Sequence, residues 1–507
     1  MLRTIRIILA ILSLLAVTAL FVDVTGYAAG HWGWMAKIQF VPAVLGLNLL
    51  VVAGLVAATL VFGRIYCSFV CPLGIYQDVV NRLSIMCSSK KKRRLGKFRF
   101  SNGRMLLRVG ILAVFILLLT AGTIAAVCTW TASFVEPYSA YGRMATWLLR
   151  PLGVELNNVM ADAAAANGSY AFAHVVPMAV SIPLLSVAAV TFVVVTLYAW
   201  TSGRDYCNEI CPVGTVLGYI SRHSWLKPNI NLDKCTSCGS CARHCKASCI
   251  DPKNHRIDYT RCVACMDCLT HCSTGAITYS HSKTVAEEES KPAGGADLRR
   301  RAMLVGGAIV AGTAVASAIG KDGDGGFAPL KEKHRPDRRT PLVPPGAKGN
   351  KWLASHCTAC QLCISNCPNG VLSPSTDLTT FMQPVMDFSK GYCRPECTTC
   401  SDVCPAGAIL PIDVETKSST KIGTAEVDYK ICISAYGQKC GRCAAGCPTG
   451  AIEMVAASDG NLRPVVNESL CIGCGACEYH CPVGTVASNR ADRAAIHVEG
   501  VERHHTI

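Results

Sequence analysis

No Gly-x-Gly-x-x-Gly stretch follows a strand-like run in this sequence, so a dinucleotide site on a glycine-rich loop is excluded. There is no Cys-x-x-Cys-His, which excludes covalently attached c-type haem. No Ser or Cys stands in a nucleophile constellation, and no nucleic-acid recognition motif accompanies the positive charge. Charged residues make up only 16% of the 507, and their formal balance is +15. The bases sit beside apolar runs, notably at Lys90–Arg94 and Arg299–Arg301, where they hold segments on the cytoplasmic side of a membrane.

What the chain has in excess is cysteine, 31 residues of it, in a sequence that is half hydrophobic. A disulfide scaffold belongs to small secreted domains that lack a core, and this chain is neither small nor short of apolar residues. Spacing decides for metal.

Four stretches, about 5–22, 40–62, 105–127 and 177–200, are long and apolar enough to cross a hydrocarbon core. Arg3 and Arg6 precede the first, the basic run at 90–94 separates the second from the third, and Arg204 follows the fourth. The N-terminus, the 63–104 loop and the residues just after 200 are therefore expected on the cytoplasmic side. An internal repeat accompanies the spans: GRIYCSFVCPLG at 63–74 and GRDYCNEICPVG at 203–214. Each carries Cys-x3-Cys-Pro, and Cys67, Cys71, Cys207 and Cys211 are candidates for a further redox or metal site near the cytoplasmic face.

The remaining cysteines fall into quartets. Cys235, Cys238, Cys241 and Cys245 follow the spacing x2-x2-x3, as do Cys262, Cys265, Cys268 and Cys272. Cys357, Cys360, Cys363 and Cys367 repeat it, and so do Cys471, Cys474, Cys477 and Cys481. Cys393, Cys397, Cys400 and Cys404 open with x3, and Cys432, Cys440, Cys443 and Cys447 open with x7. Three close thiolates on a tight loop grip three corners of an iron–sulfur cube, and in two-cluster ferredoxins the fourth ligates the other cluster. Zinc needs only paired Cys-x2-Cys sets and leaves the third and fourth cysteines unexplained.

Six quartets imply about six [4Fe-4S] clusters, with Cys272 completing the first set and Cys245 the second. In the later domain the outer two motifs are expected to exchange fourth ligands, and the inner two likewise. Cys87, Cys128 and Cys249 stand alone and read as structural thiols. Most fourth cysteines open a Cys-x-x-Gly followed by small or aliphatic residues, as in CSTGAI and CPTGAI, which suits a left-handed glycine followed by a short strand.

The expected fold is an α-helical membrane domain plus α+β ferredoxin-like domains, with four to five transmembrane helices. Residues 1–228 form the membrane domain and 229–280 a cytoplasmic two-cluster domain, followed by a linker at 281–298. The arginine-led apolar segment 299–320 resembles a twin-arginine export signal. Ala316-Ser317-Ala318 has the look of a cleavage site, and tethering by a fifth span is the favoured outcome. A linker at 321–350 leads to a four-cluster domain at 351–507, outside the cytoplasm.

The paired half-motifs followed by a two-cluster ferredoxin resemble the NapH family of membrane iron–sulfur proteins. The arginine-led segment with four cluster motifs resembles NapG, its periplasmic partner, so the chain is similar to the two fused end to end. That resemblance implies a multi-pass protein of the bacterial cytoplasmic membrane. Such a protein oxidises the quinol pool and passes electrons to a periplasmic redox protein, a cytochrome or reductase. An assembly or maturation factor, or a redox sensor, is the rival reading, although no signalling or DNA-binding domain is attached. For a quinol site the sequence offers Trp130 and Glu136, with Tyr138 and Tyr141, near the outer interface, and His31 and His174 on neighbouring connections.

Overall fold

The computed structural model describes residues 2–90, 96–125, 129–169, 172–175, 177, 181–281, 333, 335–484 and 493–507. The export-like segment 299–320 and Cys128 lie outside the described residues.

Among the described residues three helices are long and apolar enough to cross a membrane: α1 (Leu2–Val22), α5 (Met105–Ala125) and α8 (Ile182–Ser202). Their outward faces are large and apolar, with Leu15 61%, Leu117 64% and Ile182 71% exposed, as a lipid-facing surface requires. The expected span at 40–62 is instead broken. It consists of α2 (Phe40–Leu45) and α3 (Leu49–Phe62), and the latter is too short to cross alone. Leu47 between them is left-handed at φ 53°, and the Asn48 side chain accepts from the Val51 amide to start a new helix. Gly46 lies at this break against the backbone of Pro405 and Ala406, so a distant loop packs where the helix stops.

Each half-motif leads into an amphipathic helix that begins with proline, α4 (Pro72–Met86) and α9 (Pro212–Ser221). Proline suits a first turn because its missing N–H has no partner there anyway. Between α5 and α8 lie α6 (Pro137–Met144) and α7 (Arg150–Ala166).

The first cysteine-rich domain is framed by β1 (Leu226–Ile230) paired antiparallel with β4 (Ile277–His281). A small hairpin, β2 (Ile250–Asp251) and β3 (Arg256–Ile257), sits between them. The second cysteine-rich domain holds three two-stranded antiparallel pairs. They are β5 (Leu372–Pro374) with β6 (Pro384–Met386), β8 (Ile452–Ala456) with β9 (Leu462–Val466), and β7 (Thr420–Val427) with β10 (Ile496–Thr506). Inside it Arg338 makes a two-pronged pair with Glu478, at 2.8 and 3.1 Å, and both side chains are almost fully buried.

The two cysteine-rich domains pack at opposite ends of the same helices. At the start of α1, Arg3 donates to Asp267 at 2.8 Å; at its end, the Leu20 carbonyl accepts from Asn366 at 2.9 Å. At the start of α5, Arg108 donates to Thr260 at 2.9 Å; just past its end, the Thr129 hydroxyl donates to the Ala354 carbonyl. Helix α8 runs the other way. Leu184 and Ala188 near its start pack in one apolar cluster with Ala359 and Met382, and Arg204 just after its end donates its amide to the Lys246 carbonyl at 2.9 Å. A helix of 21 residues spans about 30 Å, so the domains stand a membrane thickness apart.

Candidate metal centres

The regular Cys-x2-Cys-x2-Cys loops share one backbone device. Left-handed residues stand on both sides of the second cysteine: Ser237 and Gly239, Ala264 and Met266, Ala359 and Gln361, Gly473 and Gly475. Most of these are not glycine, and non-glycine residues adopt that conformation only where the surroundings compel it. The alternation curls each loop into a concavity lined by thiols and backbone N–H groups.

The quartets come together by exchange. Cys235, Cys238, Cys241 and Cys272 line one cavity, and Cys262, Cys265, Cys268 and Cys245 line a second. This is the expected crossing. In the second domain the pairing differs from expectation. Cys404 lies within electrostatic reach of Cys357, Cys360 and Cys363, and Cys367 within reach of Cys393 and Cys400. Cys447 lines a cavity with Cys471, Cys474 and Cys477, and Cys481 lies within reach of Cys443. Motifs adjacent in sequence therefore exchange their fourth cysteines, rather than the outer two and the inner two. Shorter loops close at lower entropic cost. The x7 gap after Cys432 is taken up by a single helical turn, Ile433–Tyr436, which Gly437 ends at φ 80°.

Among the described residues no three His, Cys, Asp or Glu side chains stand close enough to clasp a single metal ion. The quartet thiols instead line shared cavities, four to each of the three described above. Burial pushes the Cys360 and Cys474 thiols up to about 12. Thiols packed this densely become thiolates when a metal centre compensates their charge. Cys249, expected to stand alone, instead lines the second cavity with its Sγ 3.5 Å from that of Cys245. That contact pulls the Cys245 thiol down to about 7.

The half-motif cysteines converge as well. Cys67, Cys71, Cys207 and Cys211 are each 2–3% exposed, and all six pairs among them lie within electrostatic reach. Their turns touch the first cysteine-rich domain, through Ser68 to the Val263 carbonyl and Asn208 to the Ala247 carbonyl at 3.3 Å, and the middle of α1. Ser13, halfway along α1, donates to the Val70 carbonyl at 3.5 Å.

The residues suggested for a quinol site do not converge. Glu136 is buried as the cap of α6, accepting from the amides of Tyr138 and Ser139. Trp130 packs edge-on to Phe381 and donates to the Leu378 carbonyl, in the contact with the second cysteine-rich domain. Tyr141 is hydrogen-bonded to Thr18 at 2.6 Å. His31 is exposed and stacked on Tyr27, and His174 is exposed and paired with Asp162. Aromatic and capping roles account for their positions.

A larger cavity, of about 570 Å³, opens elsewhere, between α1, α4 and the first cysteine-rich domain. Ile7, Ile11 and Val79 belong to its apolar side, and its polar side is mostly basic, with Arg3, Arg6, Arg82, Lys97, Arg243 and Lys246 beside Asp78, Asp267, His244 and His271. The two imidazoles stack at 3.8 Å between ring centres, and each precedes a quartet cysteine, Cys245 or Cys272. Sequence periodicity gave no signal for this cavity, because its walls come from three separate segments.

The family pattern described as "4Fe-4S binding domain" matches residues 44–96 and 182–233, the two segments that carry the half-motifs. The pattern described as "4Fe-4S dicluster domain" matches 438–485. The methylamine utilization ferredoxin-type protein MauM of Methylobacillus flagellatus is 30% identical over 174 residues, covering 32% of this chain and 72% of that protein. The ferredoxin-type protein NapF of Escherichia coli is 29% identical over 148 residues, covering 29% of this chain and 84% of NapF. NapG of the same organism is 30% identical over 154 residues, covering 28% of this chain and 65% of NapG. No solved structure matches. With its cysteine loops and these relatives together, the chain belongs to the family of ferredoxin-type 4Fe-4S proteins that includes MauM, NapF and NapG.

Proposed function

We propose that this protein carries electrons from the quinol pool across the cytoplasmic membrane to a redox protein on its outer side. One observation carries the reading: the two cysteine-rich domains pack at opposite ends of the same spanning helices. The basic residues Arg3 and Arg6 lie at the end that meets the first domain, which supports a cytoplasmic first domain and an outer second domain.

The 24 quartet cysteines hold six clusters in this reading, in the exchanged sets described above. Each [4Fe-4S] cluster, when bound, supplies one-electron redox chemistry at a potential set by hydrogen bonds to sulfur, net charge and exposure. The protein residues bury the thiols, aim backbone N–H groups at them and fix their separation. The cavity between α1 and α4 is where a quinol fits, with its tail along Ile7 and Ile11 and its ring toward the imidazoles.

The test is anaerobic purification in detergent followed by titration with a menaquinol analogue, monitored by electron paramagnetic resonance. Appearance of reduced [4Fe-4S] signals supports the reading. Clusters that respond to dithionite and never to quinol overturn its quinol step.

A further inference from the structure

We infer that Cys67, Cys71, Cys207 and Cys211 together ligate an iron–sulfur centre beyond the six quartets, placed inside the helical domain between the two cysteine-rich domains. The four thiols come from two copies of one motif, 140 residues apart, so each repeat supplies half a ligand set.

Charge is the strongest sign of an anionic occupant. Arg64 and Arg204 are fully buried, at 0% exposure. Arg204 has a carboxylate partner, Asp78, at 2.7 Å. Arg64 has none among the described residues. It donates to Asn208, to the carbonyls of Thr260 and Cys207, and toward the Cys67 Sγ at 3.8 Å. An unpaired guanidinium in a dry interior costs several kcal/mol, roughly, unless a negative group faces it. Cys262 of the second quartet lies within electrostatic reach of Arg64, and four thiolates around an iron–sulfur core would supply the negative charge that its donation toward Cys67 calls for.

Hydrogen-bond donors point the same way. Gln77 donates through Nε2 to the Cys207 Sγ at 3.1 Å, and the Gly214 amide donates to the Cys211 Sγ at 3.4 Å. Cys71 and Cys211 stand at the N-cap positions of α4 and α9, and the Cys211 thiol accepts from the first turn of its helix, the positive end.

Position gives the centre its role. On one side Ser68, next to Cys67, donates to the Val263 carbonyl in the loop of the second quartet. On the other, Tyr66 and Tyr206 lie within reach of both these thiols and Glu136. Tyr138, beside Glu136, lies within reach of Cys360, Cys363 and Cys404. Tunnelling decays exponentially with distance, and a hydrocarbon core of about 30 Å is too wide for one useful step. A centre held at mid-depth divides it, taking one electron and releasing one, with no bond or proton exchanged. The role rests on the proposed transmembrane function; the occupancy does not.

The experiment counts clusters on the full chain, purified anaerobically in detergent, by native mass spectrometry with iron and sulfide assays. Wild type is expected to carry one cluster more than the six quartets supply, and the variant Cys67→Ser/Cys207→Ser to lose that one alone, with Cys87→Ser as an unaffected control. Wild type with no more than six, a double variant that keeps the wild-type count, or a lone zinc or copper ion at the site overturns the inference. A second readout uses dithionite, so it is independent of quinol. The resonance signal missing from the double variant is expected to titrate at lower potential in Arg64→Gln, since a buried positive charge is removed; an unshifted signal contradicts the assignment.

Discussion

Arg204 donates through Nη1 to the Cys67 carbonyl at 2.8 Å, and Arg64 donates through Nη2 to the Cys207 carbonyl at 3.2 Å. Each half-motif's arginine thus closes the turn of the other half-motif. The two copies are interlocked. Replacing Arg204 with Met leaves Asp78 with one partner fewer and the Cys67 turn open. Removing one partner from a buried pair costs about 3–5 kcal/mol. A clear fall in melting temperature in detergent is the expected result, and an unchanged melt contradicts the interlock.

The glycines of the two copies explain the close approach. A Cβ on Gly74 would stand 2.5 Å from the Cys67 carbonyl oxygen and 2.7 Å from Arg204 Nη1. On Gly214 the clash with the Cys207 carbonyl is closer still, with Arg64 Nη2 at 2.9 Å. Gly74→Ala and Gly214→Ala are therefore expected to cut the yield of folded, brown protein. Gly54→Ala, in α3 with nothing within 4 Å, should be neutral or stabilising by about 0.5–1 kcal/mol. Equal tolerance at all three positions, measured by yield and melting, would contradict the packing.

Ligand exchange between adjacent motifs has a spectroscopic consequence. Cys404→Ser should alter the signal of the cluster held by Cys357, Cys360 and Cys363, and Cys367→Ser that of the cluster held by Cys393, Cys397 and Cys400. Exchange of the outer pair would instead make Cys481→Ser disturb the Cys357 set. Comparing the resonance spectra of the three variants separates the two pairings.

Acidification should weaken the second cysteine-rich domain through His504. Burial pulls its imidazole down to about 4 from the ordinary 6.5. The folded state keeps it neutral where the unfolded chain takes a proton, so its contribution is complete above pH 6.5 and fades as pH falls toward 4. In a pH series of thermal melts, His504→Leu should lose less stability than wild type across that window. Parallel curves would rule this group out.

Much of this was legible in the sequence, because quartets and apolar runs are local patterns. The spacing of Cys235 to Cys245 announces a loop, and the runs at about 5–22, 105–127 and 177–200 announce spans. Tertiary facts were not legible. The apolar run at 40–62 hides its break, since Gly46, Leu47 and Asn48 interrupt the helix where the 405–407 loop packs. Left-handed Ala264 and Met266 carry no glycine to give them away. Which fourth cysteine crosses to which loop depends on chain packing and not on spacing. The contact of Val70 with Ser13 came from the fold alone.

The most direct test of electron passage through the helical domain uses sealed liposomes holding the full chain in their membrane. Ferricyanide is trapped inside and dithionite is added outside, and neither crosses the lipid. The account predicts that the trapped ferricyanide bleaches at a rate proportional to the protein. Bleaching should slow at least tenfold in Cys67→Ser/Cys207→Ser, a change worth about 1.4 kcal/mol in barrier. Ferricyanide that stays oxidised while the outward-facing clusters are fully reduced would contradict it.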